Sequence, residues 1–143
     1  MRWIIAITIS CLTHIQTANA SEIYLRIANN TVRVLVADTP SSRETGLMKT
    51  AHICENCGML FVFPRPGRYS FWMKNTPLPL SIAFITADGN ILKIEEMQAN
   101  STSIHHAESE VTYALEMNKG WFSNHSINPP EFVQGLIPAS KAQ

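Results

Sequence analysis

Trp72, Lys74, Asn75 and Thr76 place an indole, a cation, an amide and a hydroxyl side by side, immediately before Pro77 and Pro79. Groups of these kinds at a proline-stiffened turn can hold one small ligand, the ring taking its apolar part and the polar groups fixing its orientation. The same residues also admit a purely structural reading. In that reading Trp72 is core, Lys74 is solvated, and Asn75 and Thr76 satisfy the backbone of the turn.

Cys54 and Cys57 form the second chemical candidate. Paired, they pin a small loop; the chain-entropy gain for so short a loop is only about 2 kcal/mol. Thiol–disulfide exchange is the alternative, but an exchanging thiolate is usually stabilised by a helix N-terminus. Here Cys57 runs directly into Gly58 and an apolar segment. A third possibility adds His52 to the cysteines, with His105 or His106 completing a soft site for Zn or Cu(I). Met48, Met59 and Met73 lie within apolar motifs and read as core.

Nothing in the chain prescribes a reaction. It has no Gly-x-Ser-x-Gly elbow, His-Glu-x-x-His pair or phosphate-binding glycine loop. Glu95 and Glu96 on one strand point to opposite faces. Glu116, inside an apolar strand, is either buried with a shifted proton affinity or paired with a cation such as Arg43. Pairing is the expectation. Binding is therefore favoured over catalysis, with no metal or cofactor assigned.

The elements that must position these groups begin after a leader. Met1-Arg2 precedes the uncharged apolar run Trp3–Leu12, and Ala18-Asn19-Ala20 supplies small residues where a signal peptidase reads. Residues 1–20 are expected to be a cleaved signal peptide, leaving 21–143 as one compact domain in the periplasm or outside the cell. The apolar run is shorter than the roughly 20 residues needed to span a bilayer, and no integral membrane segment is expected after cleavage. Eleven Lys/Arg balance eleven Asp/Glu in the whole chain. That balance, without basic clusters, argues against nucleic acid as a partner. In an oxidising compartment Cys54 and Cys57 are expected to pair.

Alternation at a period of two predicts a hairpin over 22–37. A turn at Asn29-Asn30 would pair Ile27 with Val32, Leu25 with Val34 and Ile23 with Val36, and set Arg26 opposite Arg33. Thr39-Pro40 opens a short helix, with Ser41 and Glu44 as an alternative capping pair, and Gly46 limits its length. Residues 49–57 read as loop. Gly58–Phe63 is apolar on both faces, as in a strand covered on both sides, and Pro64 and Pro66-Gly67 should end it. In the next strand Tyr69, Phe71 and Met73 share one face, with Trp72 and Lys74 on the other. A second hairpin over 82–97 turns at Asp88-Gly89, pairing Ile85 with Leu92 and Ala83 with Ile94. Residues 98–110 read as a surface loop, Val111–Met117 as a strand, Lys119–Ser126 as a short helix and Glu131–Leu136 as a closing strand.

In order along the chain stand Arg43-Glu44-Thr45-Gly46-Leu47-Met48, Gly58-Met59-Leu60-Phe61-Val62-Phe63, Phe71-Trp72-Met73-Lys74-Asn75-Thr76, Pro79-Leu80, Asp88-Gly89 and Leu115-Glu116-Met117-Asn118-Lys119-Gly120. This series resembles the domain of unknown function 192 family of small, mostly exported or anchored bacterial and archaeal proteins. The resemblance implies a mainly β (α+β) fold, a single compact barrel-like antiparallel domain with two short helices, and no settled activity. Two positions depart from the family's usual pattern: Ser81 stands where relatives usually have Asp, and Pro130-Glu131 where they usually have Gly-Asp. The functional expectation is an exported binding or accessory module for a small molecule or protein partner near Trp72–Thr76. The alternative is a thiol-redox or metal-handling protein centred on Cys54 and Cys57.

Overall fold

The computed structural model of the protein describes residues 20–139 and 142–143. The leader falls on residues 1–19, outside the described ones. The rest is mainly β, and its principal sheet comprises β1 (Glu22–Ile27), β2 (Asn30–Ala37), β3 (Cys57–Gly67), β5 (Leu80–Ile85), β6 (Ile91–Met97), β8 (Val111–Asn118) and β9 (Val133–Gln134). Their spatial order is β6-β5-β8-β3-β2-β1-β9. The sheet curls so far that its two edge strands almost meet: Asn90, just before β6, bridges Phe132, just before β9. The result is a half-barrel. Two-residue strands β4 (Ser70–Phe71) and β7 (His105–His106) pair outside it. Helices α1 (Pro40–Thr45) and α2 (Trp121–Asn124) are both short.

One neighbouring pair departs from the antiparallel expectation. β2 and β3 run parallel, a geometry that needs a long crossover. Residues 38–56, which contain α1, supply it. Thr39 caps α1 as expected: its hydroxyl accepts the Ser42 N–H at 3.1 Å, and Ser42 Oγ accepts the Thr39 N–H at 3.0 Å. Gly46, at φ 48°, ends the helix.

The first hairpin forms with a shifted register. Its turn is Ala28-Asn29, so Leu25 pairs with Val32 and Ile23 with Val34. Ala28 takes the positive φ (52°) that Asn29-Asn30 was expected to provide. A shift of two leaves the apolar face intact, because side chains alternate with the same period. It also removes the repulsive pair: Arg26 faces Thr31, and Arg33 faces Tyr24 and reaches Glu22 at 3.6 Å.

The second hairpin keeps Ala83 opposite Ile94 but pairs Ile85 with Ile91. Its loop holds three residues rather than two, closed by the Thr86 N–H donating to Asn90 O at 2.9 Å, with Gly89 at φ 93°. The extra loop residue is absorbed by a register break between Phe84 and Ile85, which leaves Leu92 exposed. β3 likewise continues past Pro64 to Gly67 across a break between Val62 and Gly67. The expected closing strand and second helix are shorter than expected, and the expected surface loop over 98–110 contains β7.

Two cores lie on opposite faces of the sheet. Leu25, Val34, Leu60, Val62, Leu115 and Met117 belong to one, with Trp121 and Phe122 of α2 closing it. Met59, Phe61, Phe63, Ile82, Phe84 and Ala114 belong to the other, covered by Leu47, Met73 and Leu78 from the connections. Each fully buried Leu, Ile or Phe contributes about 1.5–3 kcal/mol. Burial on both faces is why β3, β5 and β8 read as apolar runs rather than as alternating ones.

Candidate functional site

The second core is not fully closed. A cleft of about 590 Å³ opens beside it, lined by α1 and the residues after it, by β3 and by the segment 69–76. Phe61, Phe63, Tyr69, Phe71 and Trp72 contribute its aromatic wall. The rings interlock: Phe63 and Tyr69 are stacked with centroids 3.5 Å apart, while Phe61 and Phe71 meet edge-on at 5.0 Å. Tyr69 is further held by its hydroxyl, which donates to Arg65 O at 2.6 Å.

Trp72, Lys74, Asn75 and Thr76 all line this cleft. They do so from a turn rather than a strand, since β4 ends at Phe71 and the Thr76 N–H closes a turn onto Met73 O at 3.1 Å. The short pairing partner His105–His106 and the approaching Pro77 and Pro79 explain the early end. Trp72 is 46% exposed, and the Lys74 ammonium lies 5.2 Å from its ring centroid. Thr76 is buried and its hydroxyl donates to Lys74 O at 3.3 Å. Asn75 adopts φ 57°, and its carbonyl accepts the Lys49 N–H at 2.8 Å, tying this turn to the loop after α1. Its side-chain amide has no hydrogen-bond partner among the described residues. Asn is favoured at such a φ, so the residue type has a backbone reason independent of any ligand.

Arg43 enters from α1. Its guanidinium donates to Val62 O at 2.9 Å and to Gln143 O at 2.6 Å, and lies 5.5 Å from the Phe63 ring centroid. It does not pair with Glu116, contrary to expectation: Val62 O and Gln143 O each take one of its donors, and the remaining N–H groups are left toward the cleft. Glu116 is 4% exposed, lines the cleft, and has neither an ion pair nor a hydrogen bond among the described residues. On β8 it sits between Met59 of β3 and Ile82 of β5. Burial alone pushes its carboxyl up from 4.5 to about 8. The residue after Cys57 helps set this geometry: a Cβ on Gly58 would collide with the Glu116 carbonyl, so only glycine lets β3 lie this close to β8.

The cysteines occupy a separate place. Cys54 and Cys57 Sγ stand 2.02 Å apart, at disulfide distance. The loop is anchored independently by Asn118 Nδ2 donating to Cys54 O at 2.8 Å, and by Trp121 Nε1 donating to Asn56 Oδ1 at 3.0 Å. Arg33 Nη2 lies 3.4 Å from Cys57 Sγ. Among the described residues no three His, Cys, Asp or Glu side chains come together to hold a metal ion. His105 instead bonds Glu95 at 2.7 Å, and His52 is exposed in its loop. Burial pushes the Glu95 carboxyl up, but hydrogen bonds from Lys93 and His105 outweigh it and hold the group low.

Ser81, the departure noted above, is fully buried away from the cleft lining. Its hydroxyl donates to Glu96 Oε1 at 2.7 Å and accepts the Gly120 N–H at 2.8 Å, fixing the start of α2. Among the described residues, no helix is long and apolar enough to cross a membrane. Glu116 and Arg43 were visible in the sequence as titratable groups. Their joining Trp72–Thr76 in one cleft was not, because that depends on the crossover and on β8 lying between β3 and β5.

A solved structure from Sinorhizobium meliloti 1021, named as a candidate transcription regulator, is similar at 34% identity and a TM-score of 0.79, over 81% of this chain and 95% of that one. A protein of unknown function from Novosphingobium aromaticivorans DSM 12444 shares the fold at 23% identity and a TM-score of 0.79, over 84% and 89% of the two chains. No curated protein matches. The DUF192 family, described as an uncharacterized ACR, matches residues 23–134. The chain belongs to the DUF192 family.

Proposed function

We propose that the protein is an exported binding or accessory module that holds a small ligand in the cleft at Trp72–Thr76. The observation that carries this reading is the convergence of an aromatic wall, Lys74, Asn75 and an unpartnered buried carboxyl on one cavity. Pockets with apolar walls and a few placed polar groups are the usual form of a small-molecule site. Catalysis gains no comparable support, since among the described residues no hydrogen-bonded nucleophile–base pair lines this cavity. The regulator description of the Sinorhizobium relative would call for a basic face toward nucleic acid. Eleven basic against eleven acidic residues weigh against carrying it over.

Two measurements test the reading. Native mass spectrometry of protein isolated from its own cells should find a bound small molecule that the Trp72→Ala/Lys74→Ala double variant lacks. Identical spectra for the two proteins would count against the cleft. N-terminal sequencing should begin at Ser21, whereas recovery of Met1 would count against a cleaved leader.

A second reading rests on the Arg33 guanidinium beside Cys57. A cation there would stabilise a thiolate after reduction, although Glu22 partly offsets its charge. Serine at both cysteine positions separates the two. A binding module loses only some stability, while a thiol protein loses its function.

A further inference from the structure

Glu116 is the one carboxyl of the described residues that is buried without a partner, and it faces the cleft rather than sealed core. Its strand neighbours Met59 and Ile82 offer it no hydrogen bond, and its carboxyl is left to the cleft. The other titratable groups lining the cleft are Arg43 and Glu44 of α1, Tyr69 and Lys74. Arg43 and Lys74 already lie over the Phe63 and Trp72 rings. An incoming ammonium would meet those two positive charges on the very faces that could attract it. Lys74 makes no ion pair among the described residues.

Taking the cleft as a binding site, we propose that its ligand is a small anion with a flat apolar body. The anionic end meets Lys74 and Arg43, the body lies against Phe71 and Trp72, and an acceptor oxygen meets the Glu116 carboxyl. Aromatic carboxylates bearing a hydroxyl or carbonyl are the chemical class. With its carboxyl pushed up by burial, Glu116 is an O–H donor at neutral pH. That suits an acceptor and leaves the positive balance at the rim intact.

The test uses the full-length protein and two probes that differ in the sign of one charge, a hydroxynaphthoate and the matching hydroxynaphthylmethylammonium. Their binding is followed by calorimetry at neutral pH. The naphthoate should bind tighter by about tenfold or more. Lys74→Gln should erase most of that preference. Glu116→Gln, which keeps a donor, should hold naphthoate affinity within about threefold, whereas Glu116→Leu should lose about tenfold. Equal or tighter binding of the ammonium overturns the anion assignment while leaving the cleft a binding site. Unchanged naphthoate affinity in Glu116→Leu overturns the role of Glu116. Binding of neither probe, with tryptophan emission unmoved by either, overturns the inference and the cleft reading together.

Discussion

Leu115 and Glu116 are consecutive on β8 and end in opposite environments. Leu115, with Tyr113 and Met117, points into the core closed by α2, where the one polar atom of the three side chains, the Tyr113 hydroxyl, donates to Ile137 O at 2.8 Å. Glu116, with Ala114, points to the core beside the cleft. Thr112, earlier on β8 beside the register break with β3, has a buried hydroxyl oxygen without a partner among the described residues. One face of the strand obeys every rule of a packed, satisfied interior; the other breaks the rule on buried polar groups. Such local violations are expected where a protein gives up stability for a site. The cysteine loop offers the opposite lesson, being anchored by several hydrogen bonds whether or not it performs chemistry.

The sharpest test of the two faces removes one large side chain from each. Leu115→Ala in the closed core should cost about 2–5 kcal/mol in denaturant unfolding, because the cavity it leaves cannot collapse. Trp72→Ala at the half-exposed cleft wall should cost far less, about 1 kcal/mol or under, while ligand retention is lost. Equal costs would mean that the cleft is simply a thinner part of the core. Next in size, serine at Cys54 and Cys57 should lower stability by about 2 kcal/mol at most. The bonds from Asn118 and Trp121 remain, and a thiol count on the native protein should find none free in the described pair. Asn75→Gly has the smallest expected effect on folding, within about 0.5 kcal/mol, since glycine accepts the same φ. Loss of bound ligand in that variant would assign the amide a role beyond its backbone.

Much of the architecture was legible because burial leaves a period in the sequence. The apolar run Gly58–Phe63 announced a strand covered on both sides, and Thr39-Pro40 announced the helix cap. Registers were less legible. Turn residues fix them, and Ala28 took a positive φ that composition assigned to Asn29-Asn30. The parallel pairing of β2 with β3 could not be read locally, since it depends on where a nineteen-residue crossover lands. The same nonlocality hid the full lining of the candidate site. Trp72–Thr76 could be nominated from residue types alone, but pairing Arg43 with Glu116 followed charge and missed Val62 O and Gln143 O, which orient the guanidinium.

Glu116 is kept at the expense of the fold, and the pH dependence of unfolding measures that expense. Its carboxyl is raised from 4.5 to about 8 in the folded chain. Below 4.5 the group is protonated in both states and its burial is least costly. Between the two values only the unfolded chain releases the proton, so stability falls as pH rises, by about 1.4 kcal/mol per pH unit. Above about 8 the decline levels off. Glu116→Gln should lack this component, its stability diverging upward from the wild type across that window. Parallel curves for the two proteins would show an ordinary, satisfied carboxylate, with no cost of burial at Glu116.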